Sequence, residues 1–300
     1  MHILVILGLV GFGAQMVDGS LGMGFGATST TLLLAVGTNP ALASATVNLT
    51  QIGTTLASGA SHWRFGNVDW DVVRRIVIPG GVGAFAGALF LTSLSIGAAV
   101  PLMAGILVAL GAYILVRFTV AALPLDKLGM PLRSRFLTPL GFVAGFVNGT
   151  AGGGWGPVNT SALLATGRLE PRKIVGSVGT SEFVVASCAS LGFLLGLGLG
   201  GIDFTWVAAM LIGGVIAAPI AAWLVKRIPA RVLGSAVGGL IVLLNARTLM
   251  SEHGFGLAGG VRATVVVTVL VVWGTAVAYA IKAHREATAR ESVSAPSGPA

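Results

Sequence analysis

Two glycine-rich runs set rare polar residues into apolar surroundings: MVDGSLGMGFGATST around Asp18 and FVNGTAGGGWGPVNTS around Asn148. Glycines inside an apolar segment permit a helix to break, and a new helix start presents backbone N–H groups with no intrahelical partner. Those groups, at the positive end of the helix dipole, suit an anion. Hydroxyls and carboxamides gather in the same stretches and in the segments that follow. The candidate ligands are Gln15, Asp18, Gly19, Ser20, Gly22, Asn48, Thr50 and Gln51 from the first half. The second half offers Asn148, Gly149, Thr150, Gly152, Gly153, Asn159, Ser181 and Glu182, with Thr160 beside Asn159. Several N–H and O–H donors can hold a tetrahedral or pyramidal oxyanion without lysine or arginine. No basic residue occupies the middle of these segments, which suits a site that must release its ligand as readily as it binds it.

Asp18 and Glu182 add a second chemistry. An ionisable group at bilayer depth costs about 2.5 to 3.5 kcal/mol on insertion scales and marks a functional site by default. A carboxyl that changes protonation while facing each side in turn can couple anion movement to protons, so both are proton-coupling candidates. The structural alternatives are a cap on the following half-helix for Asp18 and a buried hydrogen bond for Glu182. Their counterparts in the opposite half are amides, Asn148 and Gln51, which makes an asymmetric site on a symmetric frame.

The elements that must position these residues are membrane helices. The 300 residues are 55% hydrophobic and only 9% charged, with a mean hydropathy of +0.92, far from the roughly one-quarter charged residues of a soluble domain. Apolar stretches of spanning length recur from Ile3 to Ile281, so the chain reads as one all-α polytopic bundle. The first stretch lacks a basic leader region and a clear cleavage site, and reads as part of the fold. The net charge of +8 reads as basic residues held beside anionic cytoplasmic lipid, not as a nucleic-acid patch. Cys188 stands alone, which excludes an internal disulfide and a cysteine-cluster metal site. No Ser-His-Asp, HExxH or phosphate-loop arrangement is present. GMGFGA lacks the preceding strand and following acid of a dinucleotide site, so neither an enzyme nor a cofactor is expected. His62, beside Trp63 and Arg64, reads as an interfacial anchor.

An internal repeat orders the spans. At an offset of 130 residues, Gly11, Phe12, Ala14, Val17, Gly19, Gly22, Gly24 and Gly26 meet Gly141, Phe142, Ala144, Val147, Gly149, Gly152, Gly154 and Gly156. Asp18 meets Asn148, Phe25 meets Trp155, and after one inserted residue Pro40 meets Pro171 and Gln51 meets Glu182. The expected organisation is a first repeat over 1–122, a second over 132–252, an additional C-terminal helix over 258–282 and a disordered tail over 283–300. Each repeat holds a Gly-broken segment (3–36 and 136–166) and about three full spans, near 41–62, 72–94 and 97–118 in the first and 172–199, 203–225 and 230–250 in the second.

Basic residues cluster near 64–75, 127–135, 168–173, 226–231 and 282–290, while the turns near 38, 95 and 201 have none. If every cluster is cytoplasmic, the 31 residues from Phe136 to Thr166 must begin and end on one side. That length holds two half-helices of roughly 15 residues but not two spans of about 20. A re-entrant helical hairpin satisfies the count and makes the repeats inverted in topology, with the C-terminus cytoplasmic. Arg247 and Arg262 then fall on the outer side, against the trend. The alternative, with both glycine-rich segments crossing outright, gives nine spans and parallel repeats.

GFGAQMVDGSLGMGFG and GFVAGFVNGTAGGGWGP resemble the two signature segments of the TauE/SafE sulfite exporter family, over about residues 5–250. The resemblance implies a multi-pass transporter in the bacterial or archaeal inner or plasma membrane. Its substrate would be a small sulfur-containing anion such as sulfite or an organosulfonate, with protons as a coupling ion in some members. An anion channel, or a membrane-embedded enzyme acting on a sulfur compound, are the competing readings. Oligomeric state and transport direction are not legible.

Overall fold

A computed structural model describes residues 2–294 except 22, 121–126, 225–228 and 253. The described residues form eleven α-helices and one 3-10 turn, without strands. In chain order the helices are α1 (His2–Leu21), α2 (Phe25–Ala35), α3 (Pro40–Arg64), α4 (Trp70–Ser93), α5 (Ile96–Val120), α6 (Ser134–Ala151), α7 (Trp155–Thr166), α8 (Pro171–Leu197), α9 (Phe204–Leu224), α10 (Ala230–Leu249) and α11 (Gly259–Ser294). Among the described residues, five helices are long and apolar enough to cross a membrane: α4, α5, α8, α10 from Arg231, and α11 up to Glu286. α3 is as long as these but carries serine, threonine, asparagine and glutamine along its length, and it packs among α2, α4, α5, α6, α8 and α9. A helix enclosed by others needs no apolar exterior.

Local sequence sets the helix starts. Asn39 accepts from Ala41 N (2.9 Å) with Pro40 in the first turn of α3, and Asp69 accepts from Asp71 N (3.0 Å) at the start of α4. Both glycine-rich segments are broken where the sequence places the break. Gly24 (φ 115°) and Gly152 (φ 71°) take left-handed conformations that a side chain would strain. The pieces are 20 and 11 residues in the first segment and 18 and 12 in the second, not two equal halves. The glycines lie late in each segment, so the first piece is the longer in both. α11 continues to Ser294, past the apolar stretch and into the region expected to be a disordered tail; its Ala, Glu, Lys and Arg residues favour helix without burial.

The packing partners of α1–α5 reappear for α6–α10. α1 packs on α9 as α6 does on α4, α2 meets α10 as α7 meets α5, and the pairs α3–α8 and α5–α10 close the exchange, with α11 laid against α10 and α5. α3 and α8 run antiparallel, with Gln51 bonded to Glu182 and the turn residue Asp69 to Ser177. α5 and α10 do likewise, with Thr119 against Ser235 at 2.8 Å. α4 and α6 run parallel in close contact: Gly141 lies on Ile76, Gly145 on Gly80 and Gly149 on Ala84, backbone against backbone.

The two ends of the α6–α7 segment lie together. Gly129 N donates to Arg168 O at 2.9 Å, Arg168 Nη1 to Pro131 O at 2.8 Å and Arg75 Nη1 to Leu132 O at 2.8 Å. The chain therefore leaves and returns to one end of the bundle, and that end gathers Arg75, Lys127, Arg133, Arg168, Arg172 and Lys173.

Candidate functional site

The two helix breaks meet inside the bundle, the backbone of Gly26 and Ala27 lying directly on Gly152 and Gly153. Each break is closed by the polar residue that the sequence singles out. Asp18 accepts from Phe25 N, the first residue of α2, and Asn148 Oδ1 accepts from Trp155 N, the first residue of α7, both at 3.3 Å and both across seven residues. The N–H groups expected to face an anion are thus partly engaged by the chain itself. A carboxylate serves one half and a carboxamide serves the other in the same geometry.

Behind the second break the polar residues bond to one another and to helix carbonyls. Asn148 Nδ2 donates to Asn48 Oδ1 (2.8 Å), Asn48 Nδ2 to Ser44 O (2.9 Å) and Ser44 Oγ to Gly149 O (3.0 Å), tying α3 to α6. Thr50 donates to Thr46 O, Thr150 to Phe146 O and Ser181 to Ser177 O, while Asn159 Nδ2 donates to Trp155 O. All of these side chains are buried. Asn159 Oδ1 and the neighbouring Thr160 Oγ1 are buried without a protein partner.

A cavity of about 480 Å³ opens between α1, α3 and α8 on the end that carries the basic residues. Four of the expected site residues line it: Gln15, Asp18, Gln51 and Glu182. Gln51 Nε2 donates to Glu182 Oε1 at 2.8 Å, linking the halves at a pair of positions equivalent in the repeat. Gln15 Oε1 and Gln51 Oε1 are buried with no hydrogen-bond partner. The inner end therefore presents acceptors in excess of donors, since an ionised carboxylate only accepts. Asn48, Thr50, Asn148, Gly149, Thr150, Gly152, Gly153, Asn159 and Ser181 do not line this cavity. Gly19 and Ser20 fall in the last turns of α1, and Gly22 lies outside the described residues.

Toward the mouth the walls carry Thr54, Thr55, Ser58, His62 and Arg172, none of them among the expected ligands. A signal for them exists in the sequence. Gln51, Thr54, Thr55, Ser58 and His62 recur at three- and four-residue spacing, one face of a helix, and Arg172, Val175, Gly179 and Glu182 repeat the pattern on α8. Arg172 also meets the exposed Glu170 at 2.6 Å and holds that carboxyl below its usual range, by hydrogen bond first and charge second.

A helical bundle with spanning apolar helices, buried helix breaks and a polar cavity open at one end is the architecture of a polytopic membrane protein, and the relatives of the chain place it among membrane transporters. The chain belongs to the TauE/SafE sulfite exporter family, whose sequence model matches residues 7–248. It is 50% identical over 250 residues, 83% of either chain, to "Probable membrane transporter protein YtnM" of Bacillus subtilis (strain 168). Two further proteins of that organism are more distant: "Probable membrane transporter protein YdhB" is 28% identical, with 78% of this chain and 90% of the relative covered, and "Probable membrane transporter protein YjnA" is 27% identical, with 78% and 95% covered. No solved structure matches the chain.

Proposed function

We propose that the protein is a secondary transporter of a small sulfur-containing oxyanion, sulfite or an organosulfonate, coupled to protons through Asp18 and Glu182. The observation that carries the coupling is the inner end of the cavity, where two carboxyls and two unpartnered amide oxygens converge without a cation. An anion entering there meets repulsion until protons occupy the carboxyls. Protonation removes the charge and supplies O–H donors, so proton and anion favour one another's binding. Membership of the sulfite exporter family supports the substrate class.

The membrane topology that fits is the inverted one. With the basic end cytoplasmic, α6 and α7 form a hairpin entered from inside, and α1 and α2 one entered from outside. The repeats occupy 1–122 and 132–252, the helix over 258–282 is added to them, and the C-terminus is cytoplasmic in a bacterial or archaeal cell membrane. The cavity then opens to the cytoplasm. Thr55, Ser58 and His62 on its wall correspond in the second repeat to Ala186, Ala189 and Phe193, which are fully buried. When the two repeats exchange conformations, that buried set becomes the wall of a path to the outside.

Ser58 tests the path, since it lies in the wall, is exposed and bonds to nothing that folding requires. In a Cys188→Ser background, Ser58→Cys should react with an impermeant thiol reagent in inside-out vesicles and not in right-side-out ones. Its modification should reduce transport at least about tenfold, a loss of roughly 1.4 kcal/mol in the occupied path. Labelling that leaves transport unchanged removes this cavity from the route.

A further inference from the structure

The opposite end of the bundle carries a second cavity, of about 920 Å³, between α2, α5, α10 and the added helix α11. It is far from the first: Pro40 lines one and His62 the other, 22 residues apart along α3, or about 33 Å. Its polar wall holds Arg247, Arg262, Thr248 and Ser251, and its apolar wall includes Ile96, Val100 and Val266. The ion pairs among the described residues are Arg74–Asp71, Arg172–Glu170 and Lys282–Glu286, so neither arginine has a carboxylate. Arg262 Nε is buried and has no hydrogen-bond partner. Leaving a guanidinium nitrogen dry and unpaired is costly, and an acceptor brought to it offsets that cost. Arginines on this end also run against the distribution of every other basic cluster.

We propose that Arg247 and Arg262 form an oxyanion-binding site distinct from the transport cavity. Arginine is suited to this, because its planar array of N–H donors matches phosphate and related oxyanions at two points. Thr248 and Ser251 stand on the same wall as hydroxyl partners, although both donate to helix carbonyls, Leu244 O and Thr248 O. The arginines fit the headgroup phosphate of an anionic membrane lipid, and the apolar wall beside them, with Ile96 and Val100 of α5 and Val266 of α11, fits its chains. A free oxyanion offers the same head without the chains.

The test uses the full-length protein and two probes. In nanodiscs, native mass spectrometry reads retention of phosphatidylglycerol against phosphatidylcholine; in detergent, calorimetry reads binding of inorganic phosphate. Loss of a charge-assisted hydrogen bond weakens binding about 10- to 150-fold, so Arg247→Gln and Arg262→Gln should each lower retention of phosphatidylglycerol by at least tenfold, with phosphatidylcholine unaffected. Loss of phosphate binding instead, with lipid retention unchanged, keeps the site and assigns it to a free anion. Arg247 is exposed, so its variant reports even where Arg262→Gln folds poorly, and Arg262→Lys retains the charge. Equal binding of both probes by parent and Arg247→Gln overturns the proposal. The readout is binding, so it stands or falls apart from transport.

Discussion

Asp18→Asn and Glu182→Gln should each reduce pH-gradient-driven uptake to background while leaving exchange of substrate across the membrane in place. The molecule itself argues that both variants fold. At the equivalent break Asn148 already performs the cap with a carboxamide, at the same 3.3 Å distance. Gln51 is the counterpart of Glu182 in the repeat, and its Nε2 can donate to a carboxamide oxygen as it does to the carboxylate at 2.8 Å. What neither amide can do is carry a proton. Loss of gradient response with exchange retained therefore separates coupling from capping. If both variants respond to the gradient as the parent does, neither carboxyl couples transport to protons.

Gly153→Val should damage the fold severely. A Cβ at this position falls on Ala27 N and on the backbone of Gly26, where the two breaks touch, and backbone cannot step aside as a side chain can. The expected loss is at least about 3 kcal/mol, in the upper range for overpacking. Gly13 is the control, because nothing lies within 4 Å of a Cβ built there. Gly13→Ala should be neutral or stabilise by up to about 1 kcal/mol, because alanine favours a helix interior. Thermal unfolding in detergent compares the two, and equal melting temperatures would mean that the contact between breaks contributes nothing to stability.

Much of this arrangement is legible in the residues. The helical class follows from the apolar spans, and the two breaks follow from Asp18 and Asn148 beside their glycines, since a left-handed glycine and a cap seven residues before the N–H it accepts from are local features. The approach of Gln51 to Glu182 is foreshadowed by their matching places in the repeat, and the structure makes it a hydrogen bond. Which polar groups remain free is a different matter. Thr150 and Ser181 look like ligands in the sequence, yet a helical hydroxyl readily bonds the carbonyl a turn before it, and both do. Asn148 spends its amide N–H on Asn48 Oδ1 because α3 and α6 cross there, a tertiary fact with no local trace. His62 reads as an anchor from its neighbours Trp63 and Arg64, but its place at the end of the polar face of α3 sets it at the cavity mouth.

The most direct measurement is counterflow in proteoliposomes containing the purified full-length chain. Labelled sulfite outside, with unlabelled sulfite sealed inside, should enter faster and transiently accumulate above its outside concentration, because each outward passage of unlabelled substrate returns a carrier site for labelled inward movement. An organosulfonate inside should give the same stimulation if it shares the site. Uptake that is indifferent to internal substrate would contradict a carrier and fit a channel, and labelled sulfite recovered as a different compound would contradict transport as the activity.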